Sequence, residues 1–162
     1  MVLRKSYLDK IIPFIDQDLI KVLVGIRRCG KTVLLGQIKD VLLQRSVPAQ
    51  NIIQANFESM RFRSTHTAEA LYDYISEKAA GCSGKIYILL DEIQEVDRWQ
   101  VAINSLRVDF DCDILSDRLQ FKAAFRRTGN LSFRSIHPDS GLPIFSCRSK
   151  RAVHRKRNLY FG

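Results

Sequence analysis

The octapeptide Gly25-Ile26-Arg27-Arg28-Cys29-Gly30-Lys31-Thr32 constrains this chain more than any other feature, because of what flanks it. Before it, Ile20-Lys21-Val22-Leu23-Val24 is rich in β-branched residues and ends at a glycine turn, as a buried strand does. After it, Val33, Leu34, Leu35, Ile38, Val41 and Leu42 recur at helical spacing over residues 31–45, and Pro48 lies just beyond. The pattern G-x-x-x-x-G-K-T between a strand and a helix is an anion cradle. Gly25 and Gly30 permit backbone angles that turn successive N–H groups inward, and the helix aims the positive end of its dipole at the same point.

A cradle of this kind holds a nucleoside triphosphate, ATP here. The candidate binding residues are Gly25, Ile26, Arg27, Arg28, Cys29, Gly30, Lys31, Thr32 and Val33. Lys31 reaches the β- and γ-phosphates, which also makes it a candidate catalytic residue, and the Thr32 hydroxyl ligates Mg²⁺. Arg27 and Arg28 either add positive potential at the γ-phosphate or are solvated loop residues facing away. Cys29 lies where amide dipoles lower a thiol pKa, an oxidation-sensitive point.

Downstream, strand and helix signals keep alternating. Residues 51–58 read as a second strand, and residues 85–92 as a third whose unbroken apolar run suits burial on both faces. Thr67 is placed to cap a helix carrying Ala70, Leu71, Tyr74, Ile75 and Lys78, broken at Gly81-Cys82-Ser83-Gly84. Another helix follows over residues 98–108, with Trp99, Ala102, Ile103 and Leu106 on one side and Trp99 assigned to the core. Such alternation predicts an α/β, three-layer P-loop NTPase fold with a parallel sheet and helices on both faces.

The third strand ends in Asp91-Glu92. Carboxylates there lie in the crevice where parallel sheets bind ligands. Asp91 is the candidate Mg²⁺ residue beside Thr32, and Glu92 the candidate general base that polarises an attacking water. An acidic cap for the next helix is the plainer reading of the pair, and the phosphate loop upstream argues against it. Asn56 and Glu58 end the second strand on the same edge, where they either orient water or substrate or simply form a turn. His66, His137 and His154 have no partners at metal spacing and read as surface residues.

The net charge of +9 has a local origin. Residues 1–114 hold 15 basic and 15 acidic residues, whereas residues 115–162 hold 11 basic ones against Asp117 and Asp139. A neutral domain therefore carries a basic tail with no sustained period, a composition that predicts disorder. Nucleic-acid binding through that tail is the alternative function; the neutral part offers no support for it. Cys29, Cys82, Cys112 and Cys147 lack CxxC spacing, and with no export signal or membrane-length apolar run they read as free thiols of a cytoplasmic protein. A small-molecule kinase is a third reading, but Asp91-Glu92 suits water activation and no acceptor-binding or lid segment is visible.

Five segments carry a resemblance: R-x-x-Y-L at residues 4–8, I-K-V-L-V-G-I-R-R-C-G-K-T at 20–32, N-F-E at 56–58, L-D-E-I-Q-E-V at 90–96 and W-x-x-A-I-N-S-L-R at 99–107. Together they resemble a large prokaryotic family of AAA-type ATPases in the additional-strand, catalytic-glutamate branch of P-loop proteins. The resemblance implies ATP binding and hydrolysis with Asp91 and Glu92 in the roles above, and a longer parent that continues into a helical, nuclease-like C-terminal region. It also implies a fourth strand between the first and third, ending in a polar sensor, typically D-I-Y-L-T-G-S-N.

The chain departs there, reading Asp113-Ile114-Leu115-Ser116-Asp117-Arg118-Leu119-Gln120. A hypothetical GAC ATT TAT CTG ACC GGC TCC AAT encodes the family string. One added T gives GAC ATT TTA TCT GAC CGG CTC CAA T, which encodes the string found. Residues 1–114 are accordingly expected to be a partial AAA-type ATP-binding domain, and residues 115–162 an out-of-frame basic tail. On that reading the sheet is incomplete after the third helix, the fourth strand stops near Leu115 and the sensor asparagine is missing. Weak stability, residual nucleotide binding and impaired hydrolysis are the expected consequences.

Overall fold

In the computed structural model, which describes residues 5–24, 30–118 and 133–136, strands and helices alternate as the periodicity predicts. Helix α1 (Lys5–Ile11) precedes β1 (Ile20–Val24), α2 (Lys31–Gln44), β2 (Ile52–Asn56), α3 (Ala68–Ala79), β3 (Ile86–Asp91), α4 (Trp99–Asp109), β4 (Cys112–Arg118) and β5 (Phe133–Ile136). The strands form one sheet in the order β2-β3-β4-β1-β5, and every pairing in it is parallel. This is the expected α/β, three-layer P-loop NTPase-like fold.

Alternation along each strand divides the core between the two faces. Val22, Ile53, Ala55, Ile88, Leu90 and Ile114 point to one side, where α3 and α4 cover them with Leu71, Ile75, Trp99, Ile103 and Leu106. Leu23, Ile52, Leu89 and Leu115 point to the other, beneath Leu8 and Ile11 of α1 and Leu34, Leu35, Ile38 and Leu42 of α2. Trp99 is thus a core residue. Thr67 caps α3 as its sequence suggests, its hydroxyl accepting from the Ala70 N–H at 3.2 Å.

The fourth strand corrects the sequence reading. It does not stop near Leu115 but runs on to Arg118, past the boundary expected at residue 114. Leu115, Ser116 and Asp117 pair with Lys21, Val22 and Leu23 of β1 on one side. On the other, Ile114, Leu115 and Ser116 pair with Ile88, Leu89 and Leu90 of β3. The reason is that ladder hydrogen bonds use backbone groups and do not read side chains. A slot between two strands accepts any segment whose alternation places apolar residues correctly, and Ile114 and Leu115 fall on the two core faces. A further strand, β5, lies within the segment expected to be a disordered tail and pairs with β1. The rest of that segment, residues 119–132 and 137–162, lies outside the described residues.

At the N-terminal edge of the sheet, Lys21 and Asp113 form an ion pair in which both side chains are fully buried. Burial pushes the lysine pKa down and the aspartate pKa up, and each partner offsets the other's shift. Their remaining valences are filled locally. Lys21 Nζ donates to the Gln17 carbonyl at 2.8 Å, and the Asp16 N–H donates to Asp113 Oδ2 at 2.6 Å. The Tyr87 hydroxyl in turn donates to Asp16 Oδ1 at 2.7 Å. Asp16 sits at φ 67°, so this network holds a left-handed turn into the entry of β1.

Candidate functional site

All the strands run the same way, so the C-terminal ends of β1, β2, β3 and β4 share one edge, and the candidate residues gather there. Gly30 takes φ 82° at the start of α2, a left-handed conformation that a Cβ disfavours. Its carbonyl accepts from the Leu34 N–H at 3.1 Å, which starts the helix at Lys31. Lys31 is 7% exposed although charged, and its Nζ lies 3.7 Å from Asp117 Oδ2. Thr32 and Val33 follow on the exposed side of the first turn. Gly25, Ile26, Arg27, Arg28 and Cys29 lie outside the described residues.

Asp91 ends β3 and is 1% exposed. Its Oδ2 accepts from Asn56 Nδ2 at 3.1 Å, while Oδ1 is buried with no hydrogen-bond partner among the described residues. Asn56 forms the turn that the sequence offered as one alternative, and it also bonds to Asp91, a contact the sequence did not suggest. It orients Asp91, and through Oδ1 it accepts the Glu58 N–H at 2.9 Å to close the turn after β2. Glu58 itself is exposed.

Glu92 leaves the strand in a left-handed conformation, φ 54° and ψ 43°. A non-glycine residue pays about 1–2 kcal/mol for that geometry, which is found at functional sites. It is held by its own N–H, which donates to Asp117 Oδ1, and by Gln94, whose side-chain amide donates to Glu92 Oε2. Burial pushes the Glu92 carboxyl pKa up, with the Gln94 amide and the Lys31 ammonium acting against that rise and the Asp91 and Glu58 charges adding to it.

Asp117 is the residue that sequence reasoning missed. It was assigned to the tail, and no motif marks it. Its position on β4 opposite Leu23 brings its carboxylate to Asp91 and Glu92, with one ligand atom from each of the three lying within 4.8 Å of the others. Burial, opposed by the Glu92 N–H and increased by the neighbouring Asp91 and Glu92 charges, pushes its pKa up to about 7.

These donors fit a hard divalent cation. They are carboxylate oxygens, with one ligand atom from each residue within 4.8 Å of the others, and Asp91 Oδ1 accepts no N–H among the described residues. Of the histidines, His66 places Nδ1 2.9 Å from the Glu95 carbonyl. His137 and His154 lie outside the described residues.

A parallel sheet with β4 between β1 and β3, helices on both faces and an acidic pair at the strand ends defines a P-loop NTPase-like protein. A family described as an AAA domain matches residues 17–117, and the chain belongs to that family. It is 44% identical over 115 residues to a protein of Haemophilus influenzae named only as uncharacterized. The match covers 71% of this chain and 29% of that relative, so the chain spans less than a third of the relative's length. No solved structure matches. Among the described residues, no helix is long and apolar enough to cross a membrane.

Proposed function

We propose that this chain carries the ATP-binding domain of an AAA-type ATPase of the additional-strand, catalytic-glutamate branch. The observation that carries the reading is the convergence of Lys31, at the first turn of α2, with Asp91 and Glu92 at the end of β3. The G-x-x-x-x-G-K-T sequence leading into that turn supports phosphate binding, and β4 between β1 and β3 supports the branch. ATP and ADP are the ligands, and Mg²⁺ the cation, held by Asp91 and the Thr32 hydroxyl. When bound, Mg²⁺ supplies neutralisation of phosphate charge.

Lys31 binds the β- and γ-phosphates. Glu92, aimed by Gln94 and by the bond from its own N–H to Asp117, accepts a proton from the attacking water. Hydrolysis by this chain is impaired, because β4 supplies Asp117 where the related proteins carry their polar sensor strand. The tail from residue 115 is the product of a one-base insertion, which sequencing the gene across the proposed T run tests directly. The free thiols of Cys82 and Cys112 fit a cytoplasmic setting.

The test of binding is a titration of the purified chain with a fluorescent ATP analogue, with and without Mg²⁺. Magnesium-dependent binding that weakens at least about tenfold in Lys31→Ala is the expected result. A folded wild-type chain that binds no adenine nucleotide would overturn the reading.

A further inference from the structure

Gln94 is set beside the candidate general base by a short turn that is held from both sides. Ile93–Glu95 form a single 3-10 turn directly after Glu92, and Ile93 and Val96 anchor it in the core shared with α3 and α4. The Glu95 N–H donates to the Glu92 carbonyl and the Val96 N–H to the Ile93 carbonyl, each at 3.1 Å. Beyond the turn, the Asp97 N–H donates to the His66 carbonyl at 2.8 Å, which ties the exit to the segment before α3. Between two buried anchors the Gln94 side chain has little choice of direction.

Its amide offers donors on one atom and an acceptor on the other. Nε2 donates to Glu92 Oε2. An ionised carboxylate only accepts, so Nε2 rather than Oε1 faces it, and that contact fixes the way the amide points. Oε1 is then left over. It is buried and has no hydrogen-bond partner among the described residues. Buried acceptors of this kind are uncommon and call for an explanation. Since Oε1 and Nε2 share one amide carbon, the unfilled acceptor lies next to the bond that reaches the general base.

A water that attacks the γ-phosphorus has two O–H groups, and the base takes a proton from one. Its oxygen bonds to phosphorus as the bond from phosphorus to the β–γ bridging oxygen breaks. One proton passes to Glu92, and the other stays on the new phosphate oxygen. If the second O–H has no acceptor, the water is free to turn and its lone pair is not aimed at phosphorus.

We infer that Gln94 positions the attacking water, its Oε1 accepting the O–H that Glu92 does not take while its Nε2 holds Glu92 in place. The inference rests on the ATPase reading of the same crevice and goes beyond it by naming a side chain that contacts the water itself. One amide thereby orients both the base and the nucleophile. Its contribution belongs to the phosphoryl group in transfer and not to bound nucleotide as such.

The experiment measures the affinity of the full chain for a fluorescent ADP analogue with Mg²⁺, in the presence and absence of tetrafluoroaluminate, which imitates the transferring phosphoryl group. It reads binding, so it does not depend on the turnover that the altered β4 impairs. The wild type should bind more tightly with tetrafluoroaluminate. Gln94→Leu and Gln94→Met should lose about tenfold or more of that gain while binding ADP alone as the wild type does. Methionine is unbranched and keeps much of the glutamine's bulk, so its loss separates the amide from packing. Both variants are first checked for a wild-type circular dichroism spectrum. An undiminished gain in both folded variants would overturn the role of Gln94 and leave the ATPase reading standing, as would a wild type that binds ADP and gains nothing from tetrafluoroaluminate. A folded wild type that binds no adenine nucleotide would instead overturn the ATPase reading, and the role of Gln94 with it.

Discussion

Asp117 is the residue on which the chemistry of the crevice turns. Its carboxyl is more comfortable protonated, because burial and the facing charges of Asp91 and Glu92 raise its pKa from 3.8 to about 7. The folded chain therefore holds a proton between about pH 4 and pH 7 that the unfolded chain releases. Stability associated with this group is fully present below pH 3.8 and is lost as the pH rises through about 7. Asp117→Asn imitates the protonated form at every pH. Thermal midpoints measured in EDTA should be similar for the two proteins near pH 4 and higher for the variant at pH 8. Parallel profiles across that range would mean that the carboxylate carries no such penalty. Glu92 shows the same economy in another form, its left-handed backbone being secured by the N–H that donates to Asp117.

Strands β1 and β4 carry opposite polar features at their two ends. At the far edge from the crevice, Lys21 and Asp113 are buried together and held by Gln17 and Asp16. A paired buried charge contributes little net stability, but removing one partner strands the other. Asp113→Ala should cost about 3–5 kcal/mol in urea denaturation. The double replacement Lys21→Met with Asp113→Leu should recover most of that loss. If the single variant unfolds at the wild-type urea concentration, the ion pair is not isolated from water in the way its burial indicates. Neither strand betrays the pair in sequence. Lys21 looks like a flaw in an apolar run, and only the register of β1 beside β4 supplies the charge that explains it.

Across the molecule, β4 is the central strand, and residues 115–117 of it, assigned to the tail from sequence, lie within the family match that runs to residue 117. Leu115, Ser116 and Asp117 fill the ladder between β1 and β3, and Leu115 belongs to the core beneath α2. A chain stopped after Ile114 should lose the cooperative thermal transition of the full chain, since β1 would then face unpaired backbone and a gap in the core. Retention of a sharp transition at the same temperature would show that β1 and β3 find another arrangement. Residues read from sequence as the start of the tail thus complete the central strand of the sheet.

The alternating periods of residues 20–108 were enough to yield the parallel α/β layers, the Thr67 cap, the burial of Trp99 and the candidate pair Asp91-Glu92, because each depends on local spacing or on backbone preference. The loop pattern likewise marked Gly30 and Lys31 through the geometry that a strand–turn–helix unit imposes. Three things were beyond local reading: the continuation of β4, the bond from Asn56 to Asp91, and the arrival of Asp117 beside them. Pairing between strands uses backbone groups, so the entry of residues 115–118 into the sheet depends on the slot between β1 and β3 and on Ile114 and Leu115 facing the two cores. Which distant carboxylates then meet depends on register, and register exists only once the strands are assembled.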